Sequence, residues 1–437
     1  MTNNKWKEDT LKLYLISSFF FIILSLGSNL AYIEHINFGE RILKKENINN
    51  MRGSLPFVIL LVNIFIIFKK KIVIKAYEYL LIGLILSYFL GVVSGKIERI
   101  NLFRIHFVIA PIALVTTLTI SRELKEFTKE RIFYYFLIFF LMIITILFYS
   151  QNTIGYGGGW ISFFGERIIF INSNGISRIT CVINFVLLSS LVNNNNYINL
   201  RTILMVTLCI FLSSMIILSE GRVNISIMLF TTLLIFLNYK IIFLKKLILF
   251  FFIILSSIIF SIVISNQVMK KETRFENIDV SSKSFKKNVD IFFQNDVTAE
   301  KFGRFQKWKD LFQYSSDSNT KKILLGEGPE IDREILTNLG YKWGADSANG
   351  FLYSFLCGGL IGFILYLSII LLLVRNLKIF FKYKKDLLKK STQNVFFSFF
   401  PIMLLLRSFF ENSTASWSLD FIILATCLNY FYLQKTD

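Results

Sequence analysis

Apolar residues in this chain come in long blocks, not in the alternating rhythm of a half-buried strand or the 3.6-residue rhythm of a surface helix. Twelve such blocks stand at 11–33, 55–68, 77–94, 103–120, 132–149, 168–192, 203–218, 223–237, 241–264, 350–374, 395–410 and 417–433. A helix of about 20 apolar residues crosses the hydrocarbon core of a bilayer, so each block predicts one membrane span; the second and eighth are short. The connections between blocks are brief and polar, with one exception. Residues 266–347, between the ninth and tenth blocks, form a polar stretch of about eighty residues. The pattern predicts an all-α polytopic integral membrane protein. It is read as one transmembrane domain over 1–437, with about 12 transmembrane helices and one large loop at 266–347. No internal repeat is visible.

Within the loop, "KFGRFQKWKDLFQY" does carry a helical rhythm. At 100° per residue, Phe302, Phe305, Trp308, Leu311 and Phe312 fill one half of the wheel, and Gln306, Asp310 and Gln313 sit opposite. Arg304 falls inside the apolar arc. Two readings apply: a snorkelling stem whose head reaches water or lipid phosphate, or an Arg aimed into a pocket between the loop and the membrane helices. A Gly-rich turn, "LLGEGPEID", follows.

Composition supports the membrane reading, since 54% of residues are hydrophobic and 48 are Phe. The formal charge of +19 invites a nucleic-acid partner. Its distribution argues otherwise. With the N-terminus inside, Lys5, Lys7, Lys12, the run Lys69 to Lys71, Arg122, Lys125, Lys129, Arg131, Lys240, Lys245, Lys246 and the run from Arg375 to Lys390 all fall on the cytoplasmic side. This is the positive-inside pattern. It places the 266–347 loop on the outer side and both termini in the cytoplasm. The first block is too long for a cleaved signal and reads as a retained helix. The four cysteines, Cys181, Cys209, Cys357 and Cys427, all lie in apolar blocks without a paired spacing. His35 and His106 are far apart. No metal-ligand spacing, Walker loop or dinucleotide fingerprint occurs, so neither metal nor cofactor is expected.

Charge embedded at a membrane edge is costly, about 2.5–3.5 kcal/mol per residue on insertion scales. On this topology the outer edge collects Arg167, Arg178, Glu220, Arg222, Arg407 and Glu411, joined by Arg304 and Asp346 from the loop. The inner edge places its charge in loops, where it is cheap. That asymmetry predicts an anionic ligand at the outer leaflet. All five cations are Arg, whose planar fork matches phosphate oxygens and stays charged when desolvated. In "SSMIILSEGRVNISIML" Gly221 breaks the helix and Arg222 opens the next span. The bland alternatives are local pairs, Glu220 with Arg222 and Arg407 with Glu411 at i,i+4.

These residues carry a resemblance. "GERIIFINSNGISRI", "LSEGRVNI", "GRFQKWKDLF" followed by "LLGEGP", "DSANGFLYSFLCGGLIGFILYL" and "LLRSFFENS" occur in an order that resembles the O-antigen polymerase and O-antigen ligase superfamily of bacterial polysaccharide assembly. The likeness covers about the C-terminal two thirds. Each motif is short, and their order and spacing carry more than any one. Ligases of that superfamily have His-Asn at the loop-to-helix junction, where this chain reads Ala348-Asn349. The resemblance therefore implies a polymerase, with ligase-type transfer or a lipid-linked oligosaccharide flippase as alternatives.

Such a polymerase works in the bacterial inner membrane with its site facing the periplasm. It is a glycosyltransferase that joins undecaprenyl-pyrophosphate-linked oligosaccharide repeats. Membrane lipid and a chain-length regulator are its other expected partners. On this reading Arg222 and Arg304 stabilise the leaving pyrophosphate, with Arg178 and Arg407 next. Glu220, Asp346 and Glu411 are candidates to accept the acceptor's proton. Arg167, Asn174, Trp308 and Asn349 complete the expected substrate contacts.

Overall fold

A computed structural model describes residues 2–24, 35–38, 41–94, 102–123, 132–152, 159–163, 166–171, 173–193, 200–218, 222–238, 243–272, 304–341, 347–383 and 392–436. In chain order the elements are α1 (Thr2–Leu24), β1 (His35–Phe38), β2 (Arg41–Lys44), α2 (Lys45–Lys70), α3 (Ala76–Ser94), α4 (Leu102–Glu123), α5 (Ile132–Gln151), β3 (Gly159–Phe163) and β4 (Glu166–Ile171). There follow α6 (Ser173–Asn193), α7 (Leu200–Leu218), α8 (Arg222–Asn238) and α9 (Phe243–Glu272). Three loop helices come next, α10 (Arg304–Ser316), α11 (Thr320–Leu325) and α12 (Ile331–Asn338). The chain closes with α13 (Gly350–Tyr383), α14 (Thr392–Phe410) and α15 (Leu419–Thr436).

Each predicted apolar block overlaps one long helix, although residues 168–171 of the sixth block belong to strand β4 and residues 25–33 of the first lie outside the described residues. Hydrocarbon cannot hydrogen-bond a peptide group, so an apolar block in lipid satisfies its backbone internally. Among the described residues, Ala76–Ser94, Ile105–Glu123 and Gly350–Ile379 are long and apolar enough to cross a membrane, and seven shorter apolar helical stretches accompany them. Surface chemistry agrees. Ile248, Phe251, Phe252, Leu255, Ile259 and Ile262 of α9 are all exposed, an apolar face that water would not tolerate. Polar groups point inward instead. Asn63 of α2 donates to Thr116 Oγ1 at 3.0 Å and Thr117 Oγ1 at 2.9 Å on α4, and Asn184 of α6 donates to Ser213 on α7. Interhelical bonds of this kind join helices where no hydrophobic difference from the solvent does so.

Two short antiparallel hairpins, which the block pattern does not predict, lie between helices. Strand β1 pairs with β2, and β3 pairs with β4 with a register shift between Ile161 and Ser162.

The helices pack as two groups. Helices α1 to α4 lie with α13 and α15, and α5 to α9 lie with α14. The groups meet where α14 touches α13 and α15.

Helix α13 is broken at Gly359, which adopts φ 63° and ψ −157°. A break leaves the carbonyls of the preceding turn without helical donors. The loop supplies them: Glu327 N donates to Leu356 O at 3.0 Å and Gly328 N to Cys357 O at 2.9 Å. Ser94 Oγ, at the end of α3, donates to Gly326 O. The approach demands a bare backbone on α3 as well, because a Cβ on Gly91 would stand 2.2 Å from Cys357 O.

Candidate functional site

Residues 411–418, which join α14 to α15, form a polar corner at the seam between the two helix groups. The stretch reads Glu-Asn-Ser-Thr-Ala-Ser-Trp-Ser, and all but Asn412 are buried. Its shape follows from local chemistry. Ser418 Oγ accepts from Asp420 N and Phe421 N, the N-cap arrangement that opens α15. Tyr88 of α3 donates to Ala415 O, and the Tyr366 hydroxyl of α13 lies 2.6 Å from Thr414 Oγ1. The corner is thus pinned from two spans.

Two ion pairs sit against it. Arg407, in the last turn of α14, is 0% exposed and donates to Asp420 Oδ1 at 2.5 Å and to Asn224 Oδ1 of α8 at 2.8 Å. Ser413 donates to the other oxygen of Asp420. Each charge lies at the favourable helix end, Arg407 at a C-terminus and Asp420 at an N-terminus. This places Arg407 in the interior, where it crosslinks α14, α15 and α8. It is not an open ligand for substrate, and the i,i+4 pair with Glu411 does not form. Asp420 and Asn224 were invisible as partners, because they belong to other helices and no spacing rule links them to Arg407.

Glu411 instead faces Arg178 of α6, whose Nη2 lies 2.5 Å from Glu411 Oε2. Their side chains keep 20% and 10% of their exposure. The contact is one of charge more than of aligned bonds. Among the described residues, neither Arg178 Nε nor Glu411 Oε2 has a well-directed hydrogen bond, and Ser177 Oγ beside them has none. A buried polar atom left without a partner costs about 1–3 kcal/mol, so this pair holds unused bonding capacity next to a partly open surface.

The loop is tied to the same end of the bundle. Trp308 Nε1 of α10 donates to Ser347 O at 2.7 Å, and Asp332 of α12 accepts from Ser347 N. Asn349 then caps α13, its Oδ1 accepting from Leu352 N while its Nδ2 donates to Phe409 O. Phe409 is two residues from Glu411. The expected substrate contacts Trp308 and Asn349 are therefore engaged in holding the loop to α13 and α14. Outside the bundle, burial and the Asp310 carboxylate push the Tyr341 hydroxyl up to about 12.

The other predicted residues fall as follows. Arg304 opens α10 and is exposed. Arg222 opens α8, Arg167 lies in β4 and Asn174 lies in the first turn of α6; the side chains of these three are outside the described part. Glu220 and Asp346 lie outside the described residues altogether.

The opposite end of the bundle corrects one expectation. Arg122 is not a cheap loop charge. It is buried at the end of α4, ion-paired to Glu78 of α3, and it also donates to Val73 O and Tyr77. Tyr77 continues the network to Asn429 of α15. Embedded charge therefore occurs at both ends. What differs is satisfaction, since no side-chain atom of Arg122 or Glu78 is a buried orphan.

No known protein family matches the chain, and no curated protein matches it.

Proposed function

We propose that the chain is a membrane-embedded glycosyltransferase of the O-antigen polymerase type. It joins undecaprenyl-pyrophosphate-linked oligosaccharide repeats at the periplasmic face of the inner membrane, across about twelve spans with 266–347 outside. One observation supports this most: Arg178 and Glu411 face each other at 2.5 Å with bonding capacity unused, at the end of the bundle where the loop docks. Loop-borne Arg304 adds positive charge on that side, at a helix start with no acidic residue in its first turn.

In the proposed reaction the acceptor hydroxyl oxygen bonds to C1 of the donor sugar. The bond from C1 to the pyrophosphate oxygen breaks, and undecaprenyl pyrophosphate leaves with the electron pair. Glu411 accepts the hydroxyl proton. Arg178, whose side chain keeps 20% of its exposure, turns its guanidinium to the pyrophosphate, joined by Arg222 and Arg304, so that charge developing on the leaving group meets preorganised donors.

The test is a surface-glycolipid ladder from cells carrying Arg178→Ala, Arg222→Ala or Arg304→Ala at matched abundance. The expected product is a glycolipid with a single repeat. Arg→Lys rescues poorly, because an ammonium keeps the charge and loses the fork. A flippase would lose even the single repeat, and a ligase would leave polymer on its carrier. Normal ladders from all three Ala variants would overturn the proposal. Reporter fusions at Lys283 and Lys385 are expected to give opposite signals.

A further inference from the structure

Helix α10 is inside out for a helix in water. Its protein-facing side carries the buried pair Lys307 and Leu311, with Tyr314 and Ser315 partly covered. Phe305 and Phe312, seven residues and so two turns apart on one stripe, are 82% and 58% exposed. The Trp308 ring meets Phe305 edge to face at 5.3 Å, so the apolar stripe is broad. Exposed Arg304 and Lys309 flank it on either side. An apolar stripe flanked by cations suits a helix lying in the plane of a membrane interface.

Position agrees with that chemistry. Helix α11, joined to α10 by three residues, lies against the break in α13, and a Cβ on Gly359 would stand 2.3 Å from the Leu324 carbonyl carbon. Gly359 is nine residues into α13, roughly 13 Å from its start at 1.5 Å per residue. Just beyond it Leu360, Ile361 and Ile364 are exposed on a helix apolar and long enough to span. Leu324 is exposed beside them and continues that lipid-facing row onto the loop. The loop module therefore rests alongside the apolar flank of the bundle, below the helix ends.

We infer that α10 is an interfacial membrane helix, with Phe305 and Phe312 inserted among the lipid chains of the leaflet on its side. The occupant of this face is bilayer lipid. The inference needs only the membrane character of the chain and is independent of the glycosyl transfer proposed above.

Single-cysteine labelling tests it, helped by the burial of all four native cysteines. Phe305→Cys and Phe312→Cys are compared with Lys309→Cys and Gln313→Cys on the exposed polar side, in full-length protein in nanodiscs of phosphatidylethanolamine and phosphatidylglycerol. A water-soluble maleimide is expected to react about tenfold more slowly at the two Phe positions, from the cost of withdrawing apolar surface from lipid. A bimane attached at Phe305 or Phe312 is expected to be quenched by doxyl-labelled lipid, and one at Gln313 is not. Equal labelling at all four positions would overturn the inference. Slow labelling at the Phe positions without quenching by doxyl lipid would overturn it too, since a protein surface and not lipid would then cover the stripe.

Discussion

Two buried Arg–carboxylate clusters close the two ends of this bundle, and they are built differently. At one end Arg122 is held by Glu78, Tyr77 and the Val73 carbonyl, and Tyr77 passes the network to Asn429. The partners come from the start of α3, the link before it and the interior of α15, and the cluster closes on itself. At the other end Arg407 is held by Asp420 and Asn224, yet its Nε and the Asn224 Nδ2 have no partner among the described residues, and the neighbouring Arg178 and Glu411 touch only through one charge contact and leave polar atoms unused as well. A satisfied cluster spends its bonding capacity on the fold. An unsatisfied one keeps capacity for something that arrives later. Burial of charge alone does not mark a site, and incomplete satisfaction is the more informative sign.

The sharpest way to break this contrast is to remove one partner from each cluster. Arg122→Ala leaves Glu78 buried and uncompensated, which costs about 3–5 kcal/mol; the folded fraction in detergent, followed by size-exclusion chromatography, is expected to collapse. Asp420→Ala is expected to do the same through Arg407. Parent-like melting of either variant would show that these pairs are not structural.

Glu411→Gln should behave in the opposite way. Its melting temperature stays near that of the parent, because Gln keeps a carbonyl acceptor toward Arg178 and the original pair is poorly aligned. Polymer formation by purified protein falls roughly ten- to a hundredfold, the worth of one charged contact. A variant that unfolds while its residual folded fraction polymerises normally would assign Glu411 to the fold.

Asn349→Ala comes next in size. It removes the N-cap of α13, worth about 1 kcal/mol, together with the tie to Phe409. A modest drop in melting temperature with wild-type chain lengths is expected. Chains shortened at unchanged stability would restore Asn349 as a substrate contact. Smallest of all, Tyr314→Phe removes the hydroxyl that donates to Glu327 and accepts from Lys322, while Glu327 keeps its ion pair with Lys322; at this half-buried site a loss of about 0.5–1.5 kcal/mol is expected, read by thermal melting.

The helices were legible because an apolar block has one backbone solution in lipid. The break at Gly359 was not, since "CGGLIG" gives two adjacent glycines without saying which one bends or what repairs the bend. The hairpins escaped the block pattern, for their strands are only four to six residues long. Arg178, Arg407 and Glu411 all stand out as costly charges, yet their pairing could not be read. Sequence spacing offers Arg407 and Glu411 as neighbours on one helix. Packing instead draws Glu411 to α6 within its own group, and Arg407 to α8 and, across the seam, to α15. Arg122 was misjudged because three lysines and arginines follow it, and a residue beginning a basic loop looks the same as one ending a buried helix.

The repair at Gly359 has a consequence for how the chain is made. The groups that satisfy Leu356 and Cys357 lie upstream of them, at Glu327 and Gly328, and the surface that receives both is Gly91 on a helix far earlier still. During synthesis from the N-terminus, α3 and the "LLGEGP" segment are both complete before the first turn of α13 leaves the ribosome. The broken span therefore meets its splint on arrival. A late span can carry two open carbonyls because the chain has already made the segment that closes them.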